Sequence, residues 1–521
     1  VAALTLLAVI GLCLGATSPY FEAFLSDNER PRLLQAMAVV DAGETAIDGP
    51  SSRGLRPGAD VSRADFEGAR LHPNKPPGAT VPAALAYLGL RATAGGDPIR
   101  LATFAALARL FGSLAPTLIL LFVFWRRYRS RISAPTLAAA ASIYALATPV
   151  ATYATVLYGH QLTACLLFCG VLALTGKVGE RPSSGLSFAG GLCCASAVTV
   201  EYGAVFAGLP IGVFLLLRAR EPGGVGRCVA ALGGALIPIA ALAAYHAHAF
   251  GSPWTTSYHH VLIQDFAAQH DRGLLGLHLP TAKSLREVWI SPWGGLLVWA
   301  PVTMLAFGGA VVGATSSATG DVDARAELGL HLAIFGVWLV VVLGLTQTGG
   351  WRVGPRYLVA SFPFLLLGLC AAVERMKARP WLTALMVALA LGPTVLNGLA
   401  ANLFPHLIPE GNPLRDQLWP ITQAGREPWG ILGLWPVVVL SVVTVFSTLA
   451  MNLAEGTELP RKAGLALLTG TLGAALYLAL ATLPRSSSRV EWIRSAITTI
   501  YDSAPGGSRP MKRLPLIPSG D

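Results

Sequence analysis

Apolar runs of about 20 residues recur along nearly the whole chain and are separated by short polar stretches. The runs are continuous rather than alternating, which is the pattern of spanning helices and not of barrel strands. They predict about 13 spanning helices. The first occupies about residues 1–16 and reads as a membrane helix that begins upstream of residue 1, not as a cleaved leader. The second covers about 99–125, the third 135–153 and the fourth 161–175. The fifth reaches Glu201-Tyr202, the sixth returns to Arg218, and the seventh covers about 228–250. The eighth and ninth cover about 294–314 and 328–346, and the tenth returns to Arg375. The last three run out to about residue 404, back to Arg461-Lys462, and out again over 465–483.

Short loops rich in Lys and Arg remain cytoplasmic, and they fix the orientation here. Arg126 to Arg131, Lys177 with Arg181, Arg218 to Arg227, and Arg375 to Arg379 all fall on one side. The other side receives three longer polar segments, 18–98, 251–291 and 404–430, and a tail over 484–521 in which 490–501 reads as a surface helix. The expected fold class is an all-α polytopic membrane protein, with residues 1–483 as one transmembrane domain.

Composition supports this pattern. The chain is 53% hydrophobic and only 13% charged, with mean hydropathy +0.57, against about 25% charged residues in soluble domains. The net charge of +10 is spread through short loops between apolar runs, so it points to membrane lipids as partners and not to nucleic acid. The seven cysteines lie in or beside apolar runs. That is the placement of buried small hydrophobes, not of a disulfide framework or a zinc site.

The candidate chemistry lies in the first long polar segment. Asp27-Asn28 offers a helix N-cap, Pro31 suits a first turn, and Gly43 suits a C-cap. Leu33, Leu34, Met37 and Val40 recur at helical spacing with Arg32, Gln35 and Asp41 off that stripe. The pattern predicts an amphipathic helix on the outer membrane surface, with Asp27, Glu29, Arg30 and Arg32 at its start. Asp65 and His72 follow, then Asn74-Lys75-Pro76-Pro77-Gly78. The prolines fix the backbone and present Lys75 in one direction, where an ammonium suits a lipid phosphate. A second interfacial helix is predicted over about 81–93. His160 and Glu201-Tyr202 sit at the outer ends of their helices, and Arg352 and Arg356 lie in a turn after the ninth. His259, His260, Asp265, His270, Asp271 and His278 fill the second polar segment. They match no tight metal signature and read as a polar cleft lining, with a divalent metal as the alternative. Trp293, Trp299 and Trp351 read as interfacial belt anchors.

The order NERPRLLQAMAVVDAGETAID, HPNKPPG, YGH, EY, SPWGGLLVWAP and GGWRVGPRYL, spread over about residues 1–370, resembles a bacterial family of integral-membrane glycosyltransferases of the C-type fold. Its relatives are the protein O-mannosyltransferases and the lipid A aminoarabinose transferases. The resemblance implies a polyprenyl-phosphate sugar as donor, chemistry on the extracytoplasmic face, and transfer with inversion. It places an acid three residues before an arginine, here Glu29 before Arg32, with Asp27 competing for the role of catalytic base. Lys75, Arg356, Arg352 and Arg32 then become the candidates for the donor phosphate. Asp65, His72, His160, Glu201, Tyr202, His259 and His260 become the acceptor cleft. Asn74 departs from the acid that commonly precedes the lysine, which weakens any metal site there. Two other classes fit a polytopic chain: a transporter or lipid flippase, which would place ionisable groups at mid-membrane within inverted repeats, and a non-catalytic assembly protein.

Overall fold

The computed structural model describes residues 2–17, 26–65, 68–177, 180–263, 276–315, 322–345, 350–376, 379–423, 432–453, 459–482 and 490–503. Six helices in it are long and apolar enough to cross a membrane, and seven more are shorter apolar helices. They match the thirteen runs one for one. In chain order the first elements are α1 (Ala2–Thr17), α2 (Arg30–Ala42), α3 (Thr80–Ala94), α4 (Leu101–Tyr128), α5 (Ala134–Leu146), α6 (His160–Thr175) and α7 (Ser184–Val200). Then come α8 (Tyr202–Ala219), α9 (Gly224–Phe250), α10 (Val302–Thr315), α11 (Val322–Leu343) and α12 (Arg356–Met376). The last are α13 (Pro380–Leu403), α14 (Trp435–Leu453), α15 (Leu459–Thr482) and α16 (Val490–Ser503). One short hairpin, β1 (Val61–Ser62) with β2 (His72–Pro73), pairs Val61 with Pro73 and Ser62 with His72.

Small residues set the closest helix crossings. A Cβ on Gly191 would strike the Ala231 carbonyl, and one on Gly234 would strike the Phe188 carbonyl, so α7 and α9 meet backbone to backbone. Gly309 and Gly368 do the same for α10 and α12. Lipid tails are as apolar as leucine, so close packing of this kind is what holds such helices together. Gly234→Val is expected to lower stability by about 1–3 kcal/mol through overpacking, visible as a lower unfolding midpoint of the purified protein in detergent.

One predicted feature of the first polar segment differs in its surroundings. The helix after residue 29 forms, with Pro31 in its first turn and Gly43 in the left-handed region at φ 68°. It does not lie on a surface. Pro31 to Ala38 are all buried, Arg32 and Gln35 included. The polar stripe is matched by internal partners. Gln35 donates to the Thr45 carbonyl at 2.8 Å and accepts from the Thr80 hydroxyl at 2.8 Å. The second helix, α3, does keep an exposed apolar face of Val81, Leu85 and Leu88, as an interfacial helix requires. Trp299 is fully buried, with its indole N–H donated to the Pro292 carbonyl at 2.8 Å, so it is a packing residue and not a belt anchor. α16 forms where a surface helix is predicted, and it docks through Ile493, which is buried beside Leu403 and Leu407.

The basic loops gather at one end of the bundle, where acids unmarked by the hydropathy pattern pair with them. Arg127 meets Glu327 at 3.0 Å, and Arg218 meets both Glu221 at 2.6 Å and Asp323 at 2.7 Å. The opposite end carries the hairpin and the remaining polar segments. There the segments are stitched together: Val261 bridges to Ser62, Ser257 donates to the Asn74 carbonyl at 2.9 Å, and the Arg352 amide donates to the Leu407 carbonyl at 2.8 Å.

Candidate active site

At that end the loops and the ends of six or more helices enclose a cavity of about 910 Å³. Asp27, Asp60, Lys75, His160, Glu201, Tyr202 and Arg356 all line it, with Arg30, Tyr158, Tyr258, Tyr357 and His406.

Lys75 enters on the bend that follows β2. The turn that follows must be small, because a Cβ on Gly78 would collide with the Thr199 carbonyl and hydroxyl at the end of α7. Pro76 and Pro77 on one side and this contact on the other leave the lysine one direction. Its Nζ lies 3.1 Å from the Tyr258 hydroxyl and 4.8 Å from the Tyr258 ring centre. Burial works against its charge, but Tyr258, Tyr357, Asp60 and Glu201 outweigh burial and hold the ammonium above its ordinary value. It is charged at neutral pH.

Arg356 is set by the turn before it. The Tyr153 hydroxyl takes the Val353 amide at 3.1 Å and donates to the Val353 carbonyl at 3.0 Å. Gly354 follows at φ 60°, wedged against Pro149 and Trp299. The Arg356 guanidinium then lies over the rings of Tyr357 at 4.8 Å and Tyr158 at 5.6 Å, and donates to the Tyr357 hydroxyl at 3.0 Å. Its Nε is buried without a hydrogen-bond partner among the described residues. Donors of this kind are what a phosphate oxygen satisfies.

Three carboxylates face these cations. Asp27 is half-exposed and 3.7 Å from Arg30. Burial raises its carboxyl above the usual range; Arg30 opposes this and Asp60 adds to it. Asp60 accepts from the side-chain amides of Asn28 and Asn74, each at 3.3 Å. Glu201 is mostly buried, 3.5 Å from Arg32 and 3.7 Å from His160. Burial raises its carboxyl despite Arg32, Lys75 and Arg356.

The other wall of the cavity is apolar. Val205 and Phe206 of α8, Leu242 and Ala243 of α9, and Trp338 and Val342 of α11 run down from the ionic head between the spanning helices. α8 and α9 are the least buried of the long helices, with 28% and 22% of their spanning windows inside the protein.

Several candidates lie elsewhere. Glu29 is fully buried, and both its oxygens are taken by Arg109, at 2.8 and 2.9 Å, with the Leu157 amide adding a third bond at 2.7 Å. It braces α4 against the start of α2 and has no contact with the cavity. Arg32 is buried beneath the site, donating to the carbonyls of Asn28 and Leu157 and to the Asn28 side chain. Arg352 is buried against Gly294 outside the cavity lining. His72 packs edge-on to Tyr245 and Phe250, and burial pushes its imidazole down to about 4. His260 stacks on Phe250 at 5.3 Å, His259 is held by Thr256, and Asp65 is exposed away from the lining. His278 is exposed and bonded to the Leu279 carbonyl at 2.7 Å. Asp265, His270 and Asp271 lie outside the described residues. Among the described residues no group of three His, Cys, Asp or Glu converges as a metal site, and the cysteines are unpaired thiols.

No family model matches the chain, and no curated protein matches it in sequence. Among solved structures it is similar to ArnT from Cupriavidus metallidurans in the apo state: 14% identity, TM-score 0.50, over 92% of this chain and 77% of that one. The chain shares the all-helical, polytopic fold of that structure. In this fold the cavity described above is built from the first, second and third polar segments and the turn before α12, together with the ends of the spanning helices.

Proposed function

We propose that this C-type protein transfers a glycosyl group from a polyprenyl-phosphate sugar to a hydroxyl acceptor, with inversion, at the extracytoplasmic face of a bacterial inner membrane. One observation carries the reading: a single cavity joins an ionic head holding Lys75, Arg356, Asp27 and Asp60 to an apolar wall of spanning helices. A polyprenyl phosphate has the same two-part character. The arginine- and lysine-rich loops lie at the opposite end of the bundle, which supports an outward-facing site.

Glycosyl transfer from phosphate to hydroxyl breaks the bond from the anomeric carbon to the phosphate oxygen and forms one to the acceptor oxygen. The phosphate leaves with the bonding electrons, and negative charge grows there. The Lys75 ammonium and the Arg356 guanidinium stabilise that charge in a partly dry site, one as a point charge and one as a planar fork. The acceptor hydroxyl loses its proton to Asp27, whose raised carboxyl is closer in strength to its task than an ordinary aspartate. Asp60 sits beside it, fixed by Asn28 and Asn74. Glu201, on the cavity lining, faces Arg32 beneath it and His160 beside it.

The test is release of polyprenyl phosphate by purified protein from a panel of polyprenyl-phosphate hexoses and pentoses. Lys75→Met and Arg356→Met are each expected to slow release about 10²- to 10³-fold, the usual effect of removing one charge-stabilising donor. Wild-type rates in both variants would overturn the phosphate assignment.

A further inference from the structure

The outer rim of the cavity holds a hydrogen-bond chain with a defined direction. The Asn28 amide donates to Ser26 Oγ at 3.2 Å, so the Ser26 hydroxyl proton is free to go to Tyr158 Oη, 3.0 Å away. Tyr158, accepting there, keeps its own proton to donate, and His406 Nδ1 is its partner at 2.7 Å when that nitrogen is the unprotonated one. A neutral imidazole that accepts at Nδ1 carries its proton on Nε2. That Nε2 is buried and has no hydrogen-bond partner among the described residues, although His406 lines the cavity. Burial holds the imidazole down to about 4; of the charges around it Glu29 opposes this, and Arg109, Arg30 and Arg356 reinforce it. The ring is thus neutral, and the Ser26–Tyr158 chain favours the tautomer that carries the proton on Nε2.

Two aromatic groups continue from His406 along the same cavity lining. Phe404 meets the His406 ring edge-on at 6.0 Å, and Trp351 lies 6.3 Å from Phe404. Trp351 is 39% exposed and lines the cavity. A donor N–H and an exposed indole, separated by Phe404 and in one cavity with the Asp27 carboxylate, suit a sugar ring. Its apolar face stacks on the indole while one hydroxyl accepts from His406 and another faces the carboxylate. A serine or threonine side chain offers one hydroxyl and no stacking face.

We infer that His406 and Trp351 form the acceptor subsite and that the acceptor is a saccharide, gripped by the His406 Nε2–H through a hydroxyl other than the one that attacks. This rests on the transferase reading above.

The test uses the full-length protein with a polyprenyl-phosphate sugar and, as acceptor probes, a panel of methyl glycosides and a serine- and threonine-rich peptide. The expected result is that a glycoside accelerates release of polyprenyl phosphate. His406→Leu then raises that glycoside's KM about tenfold, the loss of one hydrogen bond, while the donor's KM is unchanged. His406→Gln, which keeps an N–H near Nε2, stays within about threefold of wild type. Trp351→Leu also raises the glycoside's KM. Acceleration by the peptide alone, or an unchanged glycoside KM in His406→Leu and Trp351→Leu, overturns the inference. Nitrogen NMR of histidine-labelled protein gives a readout independent of turnover: the His406 Nε2–H signal, assigned by its loss in His406→Gln, shifts when the glycoside is added. A shift in a protein that releases no polyprenyl phosphate keeps the subsite and removes the transferase reading. Release without a shift does the reverse.

Discussion

Replacing Asp27 with asparagine is expected to slow transfer roughly 10²- to 10⁴-fold, the range for loss of a positioned general base. The donor's KM should change little, because Lys75 and Arg356 remain in place. The substitution removes a charge that is half-exposed and paired loosely with Arg30, so the fold should survive it. The pH profile gives a second readout. A base works when deprotonated, so activity falls as pH drops through its pKa. Burial and Asp60 raise that value above the usual aspartate range, so the acid limb should lie at higher pH than an ordinary aspartate would give. Asp27→Asn should abolish the limb. Asp60→Asn removes a negative neighbour and should move the limb to lower pH. The measurement is kcat against pH for the three proteins, and an acid limb unmoved by either change would remove Asp27 from the mechanism.

The largest expected effect on stability lies at Glu29 and Arg109. Each is at most 1% exposed at its side chain, and each is the other's partner. Removing one leaves an uncompensated buried charge, at a cost of about 3–5 kcal/mol. Glu29→Ala and Arg109→Ala should each lower the unfolding midpoint sharply. A double replacement by methionines should recover most of the loss, since a buried pair is seldom more stable than apolar residues of similar volume. Burial alone would raise the Glu29 carboxyl, but the charge of Arg109 and its hydrogen bonds outweigh burial and hold it below the ordinary value. A depressed folded-state value means that the stabilisation is fully present above the unfolded-state value. It is lost only as pH falls through the depressed one. Acid should therefore weaken the wild-type protein more than the double methionine variant.

These two carboxylates, two residues apart, show what local pattern reveals and what it hides. The spans were legible because a run of apolar residues is a local property, and each of the thirteen runs became a helix. Lys75 and Arg356 were legible because prolines and glycines beside them restrict the backbone and leave the side chain one direction. The resemblance, with its acid three residues before an arginine, marked Glu29 and Arg32 as a site. Their roles depend instead on Arg109, eighty residues from Glu29, and on Glu201. Spacing along one helix says nothing about a partner on another. The same holds for the amphipathic stripe of α2. It predicted a surface helix, and the polar face was instead satisfied from inside by Thr45 and Thr80.

Asp60, Tyr258 and His406 carried no signal at all. They stand in irregular segments without period, and the contacts that deliver them are backbone bonds between distant loops, Ser62 to Val261 and Arg352 to Leu407. Lys75 and Arg356, beside prolines and glycines, line this cavity, whereas Arg352, two residues from Gly350 and Gly354, does not. An isolated aspartate or histidine in a loop was no guide to it, as the dispersal of Asp65, His72, His259 and His260 illustrates.

The most direct measurement is the structure of the protein solved with polyprenyl phosphate bound. Phosphate density is expected in contact with both Lys75 and Arg356, with the prenyl chain leaving along the apolar wall made by α8, α9 and α11. Density for the phosphate at the basic end of the bundle, or a chain that leaves without touching that wall, would contradict this assignment of the site.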